Sequence, residues 1–241
     1  MAENSGSTST FDLTNLSRDQ LWHLQLAFKY PRGRYGVGRA SQLSGVPRRT
    51  LHDWARAQVY IPDFSDAYPK TWSYRDLVFL RIFAWLREKR MDRPEVSRRV
   101  SIIKKRLELE SDAFLFVRSD GMTLLEGDQL IDELSGQQVF SEVVGHLDVF
   151  DLTAPVDVAE FRSHSRLWGP NLVKPSDRTA MSPWVMGGDP CIDQTRIPSL
   201  GVFVLNRQRG LDVEGIARLY RLEPAAIEDA LLLENRLHQA A

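Results

Sequence analysis

At 241 residues, 43% of them hydrophobic and six of them Trp, the chain has the apolar mass for two ordinary domains or one large one, and no apolar run long enough for a membrane span. Its single cysteine, Cys191, excludes an internal disulfide and argues against thiolate metal clusters. The net charge of −1 hides a basic stretch over 29–106, with 19 Lys or Arg against 7 Asp or Glu, and an acidic one over 107–241, with 11 against 22.

The opening stretch, MAENSGSTST, is small and polar, with neither a basic n-region nor an apolar h-region. Residues 1–12 are therefore expected to be a disordered tail rather than a signal peptide, and the chain is expected to be cytoplasmic. Leu13 to Tyr30 reads as a weakly amphipathic helix ended by Pro31-Arg32-Gly33. A short helix follows in VGRASQLSGV, with Val37, Ala40 and Leu43 inward and Gly45 breaking it. Pro47 restarts a helix, PRRTLHDWARAQ, at its first turn, where a missing N–H costs little. Leu51 and Trp54, three apart, mark its inner face. Two short helices across a tight Gly turn predict a helix-turn-helix. VYIPDFSDAYPKTWSY, broken by Pro62 and Pro69, suits a short β-hairpin with a loop tip. Ser73 then caps a strong helix, YRDLVFLRIFAWLREKRM, with Asp76 in the place that Glu takes in a capping box. Asp92 and Pro94 open another helix, PEVSRRVSIIKKRLELE.

Beyond residue 110 the pattern changes. AFLFVRSDGMTLLE predicts a hairpin about Ser119-Asp120-Gly121, and QQVFSEVV a further strand. From 151 to 177 periodicity is lost and Pro155, Gly169, Pro170 and Pro175 accumulate, the marks of a linker or a long ordered loop. MSPWVMGGDPCIDQTRIP has strand and turn features, and SLGVFVLNRQRG suits a buried strand or a helix. DVEGIARLYRL and EPAAIEDALLLENRLHQAA read as two helices separated at Leu222–Pro224. The fold class expected is mainly α with small β elements (α+β). A winged helix-turn-helix spans 13–110, a β-hairpin segment 111–150, the linker or loop 151–177, and a small helical domain 178–241.

Two resemblances sharpen this reading. Thr71-Trp72-Ser73-Tyr74-Arg75-Asp76-Leu77 and Leu80-Arg81, placed after a helix-turn-helix and a wing, resemble the MerR-type winged helix-turn-helix over about Tyr35 to Leu107. Gly187, Gly188, Pro190, Ile192, Thr195, Arg196, Ile197 and Pro198 resemble the domain of unknown function 433. Gly210, Leu211, Ile216, Ile227, Ala230 and Leu231 continue that likeness. The departure is Gln194, where that family usually has Gly; a turn needing positive φ would strain Gln there. A domain of this kind joined to a MerR-like module is similar to a mycobacterial VapB-type antitoxin. The resemblance implies a partner, a PIN-like ribonuclease toxin, and repression of the antitoxin's own promoter.

The charge asymmetry suits that division. The basic half would bind double-stranded promoter DNA and the acidic half a protein, unless the two halves simply pair with each other. A recognition helix turns its N-terminal residues to base edges in the major groove. Arg48, Arg49 and Thr50 occupy that first turn, and an Arg there reads guanine bidentately or clamps a phosphate. His52 and Arg56 fall on the same outward face, Arg39 and Ser41 on the first helix are placed for the DNA backbone, and Lys70 lies on the wing. The plainer alternative is a solvated basic face with a surface histidine. A homodimer is expected, since paired modules match palindromic half-sites. For the toxin, EFRSHSRLWGPNLVKP offers Arg162, Arg166 and the aromatic anchor Trp168, the residue types that interface hot spots favour. Trp168 packing the linker onto its own domain is the competing reading. Arg196 has two as well, hydrogen-bonding turn carbonyls or touching a partner.

No enzyme, metal or cofactor is expected. The five histidines are scattered, no HExxH or GxSxG occurs, and the Gly-Gly lacks the Lys-Ser/Thr of a phosphate loop. The chief alternative is a stand-alone MerR-like regulator whose C-terminal half senses a ligand. An adaptor with a vestigial helix-turn-helix is the third.

Overall fold

The computed structural model describes residues 30–64, 69–88, 92–98, 101, 113–118, 121–126, 129–132, 161–162 and 168–240. The expected tail, the helix before Tyr30, the QQVFSEVV strand and most of the helix after Pro94 lie outside these residues. The described fold is mainly α with small antiparallel β elements.

Helix α1 (Val37–Ser44) and helix α2 (Arg48–Arg56) form the expected pair. Gly45 ends α1 in the left-handed region at φ 77°, and a Cβ there would meet the Trp168 carbonyl oxygen at 2.5 Å. Both facts require glycine. Pro47 sits just before α2, where its fixed φ of −57° starts the helix without sacrificing a needed N–H. Leu51, Trp54 and Ala55 are buried, and the Trp54 ring lies 4.4 Å from that of Phe83, centroid to centroid.

Isolated bridges Tyr35–Trp72 and Phe64–Thr71 are the described β-structure of the expected wing. Helix α3 (Tyr74–Glu88) begins with the reciprocal cap the spacing predicts. The Ser73 N–H donates to Asp76 Oδ2 at 2.8 Å and the Asp76 N–H to Ser73 Oγ at 3.1 Å. The Asp76 carboxylate also accepts from Tyr60 Oη at 2.6 Å and the Asp63 N–H at 2.9 Å, so its full burial is balanced by three donors. Arg75 holds Asp63 through two bonds of 2.7 and 3.0 Å, tying the wing to α3. From Tyr74 to Phe83 every residue of α3 is buried, which makes it the central helix of this part of the molecule. Residues 93–98 are helical, and Asp92 caps them by accepting from the Glu95 N–H.

Strands β1 (Ala113–Arg118), β2 (Gly121–Glu126) and β3 (Gln129–Asp132) form an antiparallel sheet in that order. Arg118 pairs with Gly121 at the expected turn, whereas β3 is an element the sequence pattern did not reveal. Strands β4 (Phe161–Arg162) and β5 (Trp168–Gly169) pair, as do β6 (Thr179–Ala180) and β7 (Cys191–Ile192). Helices α4 (Ser199–Arg209), α5 (Val213–Tyr220) and α6 (Pro224–Gln239) complete the chain. Gly210 closes α4 at φ 67°, Asp212 caps α5 through the Gly215 N–H, and Pro224 stands in the first turn of α6.

Among the described residues two hydrophobic clusters result, and α6 serves both. Its N-terminal half gives Ala226, Ile227 and Ala230 to a cluster with Ile192, Val202 and Ile216. Its C-terminal half gives Leu233 and Leu237 to the larger cluster built on α1, α2 and α3. Burying each such leucine contributes about 1.5–3 kcal/mol. Leu172, Val173 and Met181 join the larger cluster, so the described part of the expected linker is packed chain.

Candidate nucleic-acid interface

Helix α2 divides cleanly by position. Leu51, Trp54 and Ala55 anchor it, and Arg48, Arg49, His52 and Arg56 are exposed on the other side at spacings that share one face. Thr50 is half-exposed. The Arg49 and Arg56 side chains are 94% and 83% exposed. Asp53 lies among them, 2.8 Å from Arg56 Nη2 and 3.9 Å from Arg49 Nε. Exposed pairs of this kind are worth about 0–1 kcal/mol, so they do not withhold these guanidinium groups from a polyanion. Arg48 leans over α1, because a Cβ at Gly38 would meet its Nη2 at 3.1 Å. Lys70 is half-exposed and its Nζ donates to the Ala55 carbonyl at 3.2 Å, so it closes the C-terminal end of α2 from the wing.

Arg39 and Ser41 are placed differently from expectation. The Arg39 side chain is only 9% exposed. Its Nη1 and Nη2 donate to the two Glu234 oxygens at 2.9 and 2.8 Å, and its Nε to Asp189 Oδ1 at 2.8 Å. Burial disfavours a charged guanidinium, yet these carboxylates outweigh it and raise the Arg39 pKa. Glu234 is itself fully buried and also accepts from Ser199 Oγ at 2.5 Å. Three of the five Arg39 N–H donors go to the carboxylates and Nη1 also donates to Gln42 Oε1 at 3.2 Å, so this guanidinium is engaged inside the protein rather than turned to phosphate. Ser41 is 1% exposed, and its hydroxyl has no hydrogen-bond partner among the described residues. Neither residue reaches the surface that the exposed face of α2 defines. Here the basic and acidic halves do pair with each other.

The Gly-Gly pair belongs to the same junction. Gly187 and Gly188 have φ of 70° and 91°, and a Cβ on Gly188 would lie 1.9 Å from Tyr35 Oη. That hydroxyl donates to the Gly188 carbonyl at 2.8 Å, and the Arg34 N–H to that of Gly187 at 3.2 Å. The glycines receive a tyrosine. Arg34 is exposed and its guanidinium lies 4.5 Å from the Phe64 ring centroid, beside the wing; sequence reasoning did not single it out. Its position one residue before buried Tyr35 was the available signal.

Of the residues expected to meet a protein partner, Arg166 lies outside the described residues, and Arg162 is placed only by its backbone pairing with Trp168. Trp168 is half-buried against the larger cluster, with the Arg236 guanidinium 4.5 Å from its ring centroid. It packs onto its own protein, which is the competing reading of that residue. Arg196 is exposed, and Gln194 does adopt a positive φ, 58°. Cys191 is buried, and desolvation followed by the Asp189 charge pushes its thiol pKa up to about 11. Among the described residues no group of three or more His, Cys, Asp or Glu side chains is arranged to hold a metal ion. No helix of the described residues is long and apolar enough to cross a membrane.

Comparison with known proteins bears on the C-terminal part. Residues 180–232 match the family described as Protein of unknown function (DUF433). No curated protein matches the chain. Among solved structures, the crystal structure of Rv2018 from Mycobacterium tuberculosis is similar, with 15% identity and a TM-score of 0.39, over 82% of this chain and 96% of that one.

Proposed function

We propose that this protein is the antitoxin of a type II toxin–antitoxin pair, a cytoplasmic homodimer that binds and neutralises a PIN-like ribonuclease and represses its own promoter. The observation that carries the DNA-binding half is the exposed row Arg48, Arg49, His52 and Arg56 on a helix whose other face is locked into a core. A rigid helix with arginines in its first turn suits the major groove, where each good bidentate contact is worth about 1–3 kcal/mol of discrimination. Arg56 at the end of that helix, with Arg34 and Lys70 outside it, suits the phosphates on either side, which fix register without reading sequence. The ribonuclease half rests on the resemblance to VapB-type antitoxins, for which the match of residues 180–232 supplies the domain alone, and on the acidic surplus beyond residue 107.

Co-expression of the full chain with the product of the adjacent reading frame tests the pairing. The full chain is required because Leu233 and Leu237 complete the core around α1 to α3, so a C-terminal fragment would expose that surface. The proposal expects a co-purifying complex and restored growth. A chain that binds its upstream DNA but leaves the neighbour free and toxic would point instead to a stand-alone regulator.

A further inference from the structure

Arg48 and Arg49 are neighbours in sequence, yet α2 turns them to different places. Successive residues of a helix lie about 100° apart, so adjacent side chains leave it in different directions. Arg49 heads the outward row. Three, four and seven residues on stand His52, Asp53 and Arg56, none of them buried, and the Arg49 side chain is 94% exposed. Arg48 stands at the border of the buried face, since three and seven residues on are Leu51 and Ala55, both in the core. Its guanidinium lies back across α1. A Cβ built on Gly38 would have Arg48 Nη2 at 3.1 Å, Cζ at 3.2 Å and Nε at 3.6 Å as its three nearest neighbours. Gly38 has no positive φ to require glycine, and alanine is the better helix former at such a position. The guanidinium is the reason for glycine, because a side chain at 38 would enter the space that Arg48 occupies.

That space matters because the two helices of such a motif meet DNA differently. The second enters the major groove, whereas the first crosses the sugar–phosphate backbone. Gly36 is exposed, and a Cβ there would meet nothing within 4 Å. With Gly38 it leaves the start of α1 bare, so that another backbone can approach closely. The first turn of α1 holds no acidic residue, and among the described residues no carboxylate pairs with Arg48. We infer that the two arginines have different tasks: Arg48, seated by Gly38 on α1, clamps a phosphate and sets the register, and Arg49 is the specificity-determining residue that reads a base edge. Gly38 is then a positioning residue acting through Arg48. Both contacts are charge-assisted, but the phosphate contact carries no sequence information and the base contact does.

This inference rests on the DNA-binding reading above. Titrations of the full chain onto its upstream duplex and onto an unrelated duplex, each at several salt concentrations, separate the two. Arg48→Ala is expected to weaken binding to both duplexes by the same factor, about tenfold. The slope of log affinity against log salt should become shallower by about 0.9 for each protomer bound, the contribution of one phosphate. Arg48→Lys should keep the slope, because a phosphate accepts a point charge. Arg49→Ala should instead reduce the ratio of affinities between the two duplexes by about tenfold. Gly38→Leu should reproduce Arg48→Ala without changing the charge, and should add nothing in the Arg48→Ala background, with circular dichroism unchanged throughout. A further loss in that double variant would mean that the leucine strikes DNA itself, and it overturns the role of Gly38. If Arg48→Ala lowers the ratio between the duplexes at an unchanged slope, Arg48 reads bases, and the assignment of tasks falls while DNA binding stands. Wild-type affinity in Arg48→Ala overturns the assignment equally. No binding of the wild-type protein to the upstream duplex overturns the DNA-binding reading as well.

Discussion

Cutting the Arg39–Glu234 pair is expected to destabilise the whole chain. Glu234→Ala removes two charge-assisted bonds, of 2.9 and 2.8 Å, from a guanidinium that is 9% exposed. Breaking a buried pair from one side costs about 3–5 kcal/mol, because a charge is left buried without its partner. Asp189 remains at 2.8 Å and is itself 30% exposed, so the lower end, about 3 kcal/mol, is the appropriate figure. Ser199 also loses its short bond to Glu234 but keeps the Pro190 carbonyl at 3.2 Å, which adds little. Arg39→Ala should cost a similar amount, since it strands Glu234. The double variant should cost much less than the sum, with a coupling of about 2 kcal/mol or more. Urea unfolding followed by Trp fluorescence measures all four species, and one cooperative transition is expected because α6 belongs to both clusters. Single costs below about 1 kcal/mol, strict additivity, or two separate transitions would refute the idea that this contact unites the two halves.

Three further outcomes follow from single residues. Gln194→Gly should stabilise the protein by about 0.5–1 kcal/mol, because Gln at φ 58° bears a left-handed strain that glycine relieves, less the extra freedom glycine has when unfolded; a loss of stability would show that the Gln side chain earns its place. Cys191, with its thiol pKa near 11, should resist alkylation at pH 8 in the folded protein and react fully in denaturant; rapid labelling of the native chain would contradict its burial. Burial raises the Tyr35 and Tyr60 pKa values well above 10.0, so their contribution is intact below pH 10 and is lost as pH rises beyond it. Melting temperature measured against pH should fall above that point, and less steeply in Tyr35→Phe.

What was legible in the sequence was local. Gly45, Pro47 and the Ser73–Asp76 cap marked helix ends because each acts within a few residues of itself. The strain at Gln194 was readable for the same reason, from a family pattern with glycine there. Helix α4 was ambiguous because SLGVFVL is apolar on every side, and periodicity cannot separate a buried strand from a helix in such a run. Four-residue β3 is too short to show alternation. Arg39 was misplaced because its partners lie 150 and 195 residues away. A signal was present even so, since Arg39 stands four residues before buried Leu43 and so lies toward the inner side of α1. The row on α2 was legible in full, because amphipathic spacing alone separates Arg48, Arg49, His52 and Arg56 from Leu51 and Trp54.

The most direct test of the central claim is a fluorescence-anisotropy titration of the protein onto a duplex from upstream of its own gene, at several salt concentrations. The account predicts binding that weakens steeply with salt, as counterion release requires, and at least tenfold weaker binding for Arg48→Ala and for Arg49→Ala with the fold unchanged. Arg39→Ala, compared under conditions where it remains folded, should leave the salt slope as it is, because that arginine faces Glu234 and Asp189 rather than phosphate. Equal affinity of the wild type and both first-turn variants would contradict the claim that α2 is the surface that reads DNA.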